Sequence, residues 1–200
     1  MNTDHISYTD DPLKTFGAWL EMAKAAEIND PNAMNLATAD AKGRPTNRMV
    51  LLNGLDERGF VFFTNGQSRK GDNLAINPFA ALCFHWKSLR KQVRIEGPVE
   101  VVSDKETDAY YNSRPRQSRI GAWASQQSRR LEKYSDLQDA VKKYETEFEG
   151  REDIPRPTYW KGYRVIPERI EFWIDGEFRL HKRYVFEKSG SGWNTYMINP

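Results

Sequence analysis

Between Ala33 and Ser103 the chain alternates short β-branched and aromatic runs with turn chemistry, a rhythm that an antiparallel sheet satisfies and a helix does not. The runs are residues 34–38, 47–53, 59–64, 79–86 and 92–102. Asp40-Ala41-Lys42-Gly43 and Asp56-Glu57-Arg58-Gly59 supply turns between neighbours. In the last run, Gln92-Val93-Arg94-Ile95-Glu96 puts polar side chains on one side and Val and Ile on the other, the period-2 pattern of a half-buried strand. Strands return at residues 163–165, 169–173, 179–186 and 193–198, with Ser189-Gly190-Ser191-Gly192 as a hairpin turn. Many antiparallel strands with few helices predict a mainly β chain with α (α+β), a small barrel with peripheral helices.

The helices announce themselves by their caps. Asp11 offers a side-chain acceptor at N-cap and Pro12 a first helical residue whose missing N–H costs nothing. Leu13, Phe16, Leu20 and Ala23 then share one face to about Ile28, and Asn29-Asp30-Pro31 ends the helix. Residues 68–77 read as a short helix closed by Pro78. Ser103-x-x-Glu106 and Ser135-x-x-Gln138 have capping-box spacing, for helices reaching about Ser113 and Phe148, and a third helix lies near residues 115–126. Residues 149–157 form a charged connection containing Pro. With no internal repeat and no linker, residues 1–10 read as a flexible polar tail and residues 11–200 as a single domain.

Composition narrows the function classes. Hydrophobic residues at 38% and charged residues at 29% make a soluble globular chain, and aromatics at 12% suit both core packing and stacking on a flat ligand. The net charge of +2 conceals three local clusters, Gln67-Ser68-Arg69-Lys70, Arg114-Pro115-Arg116 and Ser128-Arg129-Arg130. A nucleic-acid protein carries a continuous basic stripe. Short Arg/Ser clusters suit discrete phosphate groups, because a fork of donors plus a hydroxyl saturates phosphate oxygens; solvated charge is the other reading of each cluster alone. Cys83, the single cysteine, reads as a buried small hydrophobe and excludes an intramolecular disulfide. His5, His85 and His181 lack metal-ligand spacing, so no metal is expected. No run approaches transmembrane length and the N-terminus lacks a signal-peptide pattern, which points to a cytoplasmic protein away from membranes.

Five segments in order carry a resemblance: Asn47-Arg48-Met49-Val50-Leu51-Leu52; Phe62-Phe63-Thr64-Asn65 with Ser68-Arg69-Lys70; Arg90-Lys91-Gln92-Val93-Arg94-Ile95-Glu96-Gly97; Ser113-Arg114-Pro115-Arg116-Gln117-Ser118-Arg119-Ile120-Gly121-Ala122-Trp123; and Glu171-Phe172-Trp173 followed by Arg179-Leu180-His181. From about Asp11 to Trp193 the chain resembles the pyridoxamine 5′-phosphate oxidase family. The resemblance implies an FMN-binding split β-barrel, a homodimer with two FMN sites at the subunit interface, and oxidation of pyridoxamine or pyridoxine 5′-phosphate by O2 to pyridoxal 5′-phosphate and hydrogen peroxide. Carried over by position, Arg48, Met49, Val50, Leu51, Leu52 and Asn53 form the strand beside the flavin, Phe63 and Thr64 line its ring, and Arg69 and Lys70 hold its phosphate. Gln92 bonds the ring edge, Gln127 and Ser128 add contacts across the dimer, and Trp173 and Arg183 complete the cofactor site. For substrate, the resemblance implies Tyr110, Arg114 and Ser118, with Asn53, around the 5′-phosphate, and Arg179 and His181 as the catalytic pair at the pyridine ring.

The residues themselves support part of this. Ser68-Arg69-Lys70 at a helix start is a sensible anion cradle. Tyr110, Arg114 and Ser118 are spaced i, i+4, i+8, although Pro115 interrupts a strict helix; a phosphate site and a structural hydrogen-bond cluster both remain open. Arg179 and His181 alternate across Leu180 on an expected strand, so both face one side, where His suits acid–base work near neutral pH. Several positions depart from the family pattern. Asn53 stands where a lysine is usual, Lys182 where an Asp is usual, and Arg119 and Ile174 replace glutamines. These lie on the substrate side, so the same sequence is also compatible with a divergent FMN oxidoreductase on another substrate or a non-catalytic FMN or pyridoxal phosphate binder.

Overall fold

A computed structural model of the chain describes residues 6–7 and 9–200. Helix α1 (Pro12–Ala26) starts as its cap predicts: the Asp11 carboxylate accepts from the backbone N–H of Leu13 at 2.9 Å, with Pro12 in the first turn. Strands β1 (Ala33–Ala39), β2 (Pro45–Leu51), β3 (Gly54–Asp56) and β4 (Gly59–Asn65) lead to α2 (Arg69–Ile76), then β5 (Phe79–Trp86) and β6 (Lys91–Val101). Three helices follow, α3 (Asp104–Ser113), α4 (Arg116–Ala124) and α5 (Tyr134–Glu147), before β7 (Trp160–Val165), β8 (Arg169–Ile174), β9 (Lys182–Ser189) and β10 (Gly192–Met197).

All strand pairs are antiparallel, and the main sheet runs β10-β9-β8-β6-β5-β1-β2. Strand β6 belongs to two sheets. Its first half, through Glu96, pairs with β8, and its end, Val99 to Val101, pairs with β7, which in turn pairs with β4. The hand-over occurs at Gly97-Pro98, where a Cβ on Gly97 would lie 1.9 Å from the Ile166 carbonyl oxygen, so only glycine lets the backbones pass. The chain thus curls its sheet into a split barrel. Val93, Ile95, Leu82, Phe84, Met34, Leu36, Ile170 and Phe172 point inward and are buried.

Helix α1 plugs one end of this core. Phe16 is fully buried, its ring 4.9 Å from those of both Phe60 and Phe84 in edge-on packing. A second apolar cluster, Ile120, Phe148 and Ile154 with Trp123 and Tyr144, joins α4 to α5, and Arg116 ties it together by donating to the Phe148 carbonyl at 2.6 Å. Arg164 on β7 is 2% exposed and spans Asp56, Glu100 and Glu106, linking the β3–β4 turn, β6 and α3.

The structure departs from the sequence expectations at identifiable places. Ile6, assigned to a loose tail, is buried in the main core, while the tail residues 1–5 and 8 lie outside the described residues. Helix α5 begins two residues earlier than Ser135 implies: Lys133 is the N-cap and Asp136 accepts from its N–H at 3.2 Å. Cys83 is half-buried, because it alternates outward between the core residues Leu82 and Phe84. No strand covers Arg179 to His181: Phe178 and Arg179 have φ of 55° and 66°, a left-handed reversal that delays β9 to Lys182.

Phe16→Ala should destabilise the fold by about 3–5 kcal/mol through loss of transfer energy and an unfilled cavity. Urea unfolding monitored by circular dichroism measures it; a loss below about 1 kcal/mol would mean that α1 does not hold the barrel end.

Candidate functional site

A cleft of about 790 Å³ opens at the β2 edge of the sheet, between β4, α2 and the α3–α4 junction. Its lining includes Arg48, Met49, Val50, Leu51 and Asn53 from β2 and its end, Phe63 and Thr64 from β4, and Arg69 and Lys70 from α2. Tyr110, Arg114, Ser118, Gln127 and Ser128 close the other side. Fourteen of the residues singled out from the sequence therefore meet in one place. Leu52 does not line it; it is 6% exposed and contributes backbone, accepting from the Asn32 amide at 2.9 Å.

The cleft is electrostatically one-sided. Arg48, Arg69, Lys70 and Arg114 line it, and no Asp or Glu does. Arg48 is fixed by donating to the Leu36 carbonyl at 3.0 Å and to the hydroxyls of Thr38 and Thr46 at 2.9 and 2.7 Å. Lys70 is 7% exposed and donates to the Ser68 hydroxyl at 3.0 Å and to Gln127 Oε1 at 2.7 Å. Burial first, then the charge of Arg48, pull its ammonium down to about 8. Burial also lowers the Arg114 pKa, and Arg114 Nη1 is buried with no hydrogen-bond partner. A carboxylate-free set of cations with one buried donor left without a partner suits an anionic ligand.

Local structure aims these groups. Ser68 caps α2, placing Arg69, Lys70 and the free N–H groups of the first turn on one side. Gly71 is required there, since a Cβ would lie 2.1 Å from the Gly66 carbonyl oxygen. Helix α3 stops at Ser113 and α4 restarts after Pro115, yet Tyr110, Arg114 and Ser118 still face the same cleft. The Tyr110 ring stacks on Phe63, with centroids 4.2 Å apart, and Asn53 donates to its hydroxyl at 2.6 Å. Trp160, which belongs to none of the motifs, lies parallel to Phe63 at 5.3 Å, and Arg114 sits over its ring at 4.9 Å. Within one chain, Gln127 and Ser128 line the same cleft as Lys70, because the segment after α4 folds back onto α2, where Arg129 bonds the Gln67 carbonyl and Asp72.

The remaining candidates lie elsewhere on the chain. Gln92, Trp173 and Arg183 form a cross-strand row over β6, β8 and β9. They alternate with the buried residues Val93, Phe172 and Tyr184 and so face away from the core. Arg183 is clamped by buried Glu171 through two contacts of 2.8 Å. His181 packs against Trp173, centroids 4.5 Å apart, beside the exposed Arg179. Of the other basic clusters, Arg116 serves the α4–α5 contact and Arg130 pairs with Glu132.

A split barrel with this cleft on its edge is the architecture of the FMN-binding split barrels. The PhzG structure from Burkholderia lata, in complex with tetrahydrophenazine-1-carboxylic acid, superposes with a TM-score of 0.90 at 29% identity, covering 99% of this chain and 96% of that one. An FMN-binding protein from Nostoc punctiforme, 17% identical, shares the fold with a TM-score of 0.74 over 96% of this chain and all of that one. The chain belongs to the pyridoxamine 5′-phosphate oxidase family: residues 20–148 match the pyridoxamine 5′-phosphate oxidase model and residues 160–200 the C-terminal dimerisation region of pyridoxine 5′-phosphate oxidase. Among its relatives, the pyridoxine/pyridoxamine 5′-phosphate oxidase of Mesorhizobium japonicum is 53% identical, covering this whole chain and 98% of that protein. That of Gluconobacter oxydans is 55% identical, covering 95% of this chain and 94% of that protein.

Because an arriving anion favours protonated Lys70, inorganic phosphate should bind more weakly as pH rises through about 8. Calorimetric titration of the protein stripped of bound small molecules, between neutral and alkaline pH, checks this. Lys70→Gln should bind more weakly at neutral pH and lose that pH step; an unaltered step would assign it to another group.

Proposed function

We propose that the chain is an FMN-dependent oxidase that converts pyridoxamine 5′-phosphate and pyridoxine 5′-phosphate to pyridoxal 5′-phosphate in vitamin B6 metabolism. The observation that carries this reading is the cleft with four cations, no carboxylate and an orphaned guanidinium nitrogen. Two phosphates, one on the cofactor and one on the substrate, fit that surplus. The redox chemistry, hydride removal from C4′ and reduction of O2 to hydrogen peroxide, is what FMN supplies when bound.

The chain's own residues bind and orient. Arg69, Lys70 and Arg48, with the Ser68-capped start of α2, take the FMN phosphate. Thr64 and Gln127, joined at 3.1 Å, and the β2 edge from Met49 to Leu51 border its ring. Arg114, Tyr110 and Ser118 take the substrate phosphate. Asn53 Nδ2 occupies a lone pair of the Tyr110 oxygen, which leaves the tyrosine's own proton for the phosphate. Arg179 covers the pyridine ring and His181 helps hold it.

The site needs two copies. The Gln92, Trp173 and Arg183 row sits on the outer sheet face, whereas Arg48 projects to the core side opposite Leu36. Between β8 and β2 stand β6, β5 and β1, roughly 19 Å of sheet at 4.8 Å per strand. A homodimer that lays the outer row of one copy against the cleft of its partner brings both sets to one FMN at the interface. The match of residues 160–200, which hold β7 to β10, to a dimerisation region supports this.

Purified protein should be yellow and dimeric, and should form pyridoxal 5′-phosphate from each vitamer under air, followed by product absorbance. A colourless protein that refuses added FMN would sink the reading. Arg69→Glu and Arg183→Glu should each be inactive, yet unfolding and refolding them together should restore about a quarter of the sites, through mixed dimers with one intact site. No recovery would mean that each copy builds its site alone.

Asn53→Lys adds a charge beside Tyr110 and should lower the Michaelis constant for pyridoxine 5′-phosphate about tenfold. An unchanged or higher constant would show that Arg114 already satisfies the phosphate.

A further inference from the structure

We propose that Asp175 is a positioning residue that keeps a proton on His181 Nδ1 and so leaves the Nε2 lone pair for the substrate. The proposal deepens the reading above, since it rests on that reading for the part His181 plays at the substrate. Its basis is a triangle of three polar atoms in the turn between β8 and β9. Asp175 Oδ1 lies 3.0 Å from His181 Nδ1, and the Gly176 N–H points between them, 3.0 Å from Oδ1 and 3.1 Å from Nδ1.

The Gly176 N–H can serve either acceptor, so the 3.0 Å contact between Asp175 Oδ1 and His181 Nδ1 decides where the neutral ring carries its proton. With the proton on Nε2, the bare Nδ1 would face a carboxylate oxygen at 3.0 Å, two acceptors set against each other. With the proton on Nδ1, both N–H groups donate to Oδ1, and the ionised carboxylate is the strongest acceptor of the set. The carboxylate is dependably ionised: Arg90 Nε donates to Oδ2 at 2.7 Å, and that bond leads the causes that hold Asp175 below the usual carboxylate range. The backbone locks the same geometry, with Asp175 N–H donating to the Arg90 carbonyl at 3.1 Å. Gly176 admits no Cβ, which would sit 2.2 Å from the Leu180 carbonyl oxygen.

Trp173 packs on the ring from one side, with centroids 4.5 Å apart, and supports this arrangement. The other charges nearby are occupied or exposed: Arg183 is clamped on Glu171, and Glu177, Arg179 and Lys182 face solvent. Nε2 is then a hydrogen-bond acceptor for a hydroxyl or ammonium group of the substrate. A proton taken there leaves an imidazolium whose charge the Asp175 carboxylate balances.

The direct test is long-range proton–nitrogen NMR of the FMN-loaded protein carrying ¹⁵N-histidine, with His5 and His85 assigned by replacement with Gln. In alkaline buffer, His181 should show a protonated Nδ1 and a bare Nε2. Asp175→Ala should move the proton to Nε2, because the Gly176 N–H is then the group left facing Nδ1. Asp175→Asn, which keeps the shape of the turn, should lower kcat roughly tenfold with FMN content unchanged and a smaller effect on KM. Neutral His181 protonated on Nε2 in the unaltered protein overturns the proposal. The expected tautomer together with undiminished turnover of Asp175→Asn overturns instead the part given to His181 in the reaction.

Discussion

The architecture depends on one backbone crossing. At Gly97 strand β6 passes so close to the Ile166 carbonyl that no side chain fits, and this lets a single strand serve two sheets. Without the hand-over, β7 and β4 would not return against the end of β6, and α1 would have no barrel end to fill. The same strand carries Gln92 on its outer face, five residues before the crossing. Barrel closure and the placement of Gln92 are therefore set by one piece of chain.

Arginines do two kinds of work here, and their partners tell them apart. Arg164 meets three carboxylates and is neutralised inside the fold. Arg48 and Arg114 have no carboxylate, only carbonyls, hydroxyls and aromatic faces. Their environment raises the energy of their charge, which an incoming anion lowers. The contrast between saturated and unsaturated cations, more than the number of basic residues, distinguishes scaffold from site.

Much of the fold was legible because its signals are local. The Asp11-Pro12 start, the Ser68 and Ser103 caps, the alternation through Gln92 to Glu96 and the hairpin at Ser189 each act over a few residues, and each appears in place. What stayed hidden depends on distance. The left-handed pair Phe178 and Arg179 violates residue preference, and the tight Gly176 turn holds it there. Ile6 is ordered by core residues far along the chain. Fourteen of the residues carried by the family resemblance converge in the cleft, but Trp160 enters only because β4 pairs with β7, and the home of Gln127 depends on how the segment after α4 folds back. Asp175 gave no signal at all, since its meaning lies in a triangle with Gly176 and His181.

The unneutralised cations of the cleft also bear on how the chain survives outside its working state. Burial, and then the repulsion of Arg48 by Arg69 and of Lys70 by Arg48, disfavour the charged forms of Arg48 and Lys70, and a tightly held anion offsets that cost. By mass action, a ligand at a hundred times its dissociation constant adds about 2.7 kcal/mol to folding. Whatever anion the cleft holds therefore acts as a folding partner of the chain as well as its cargo.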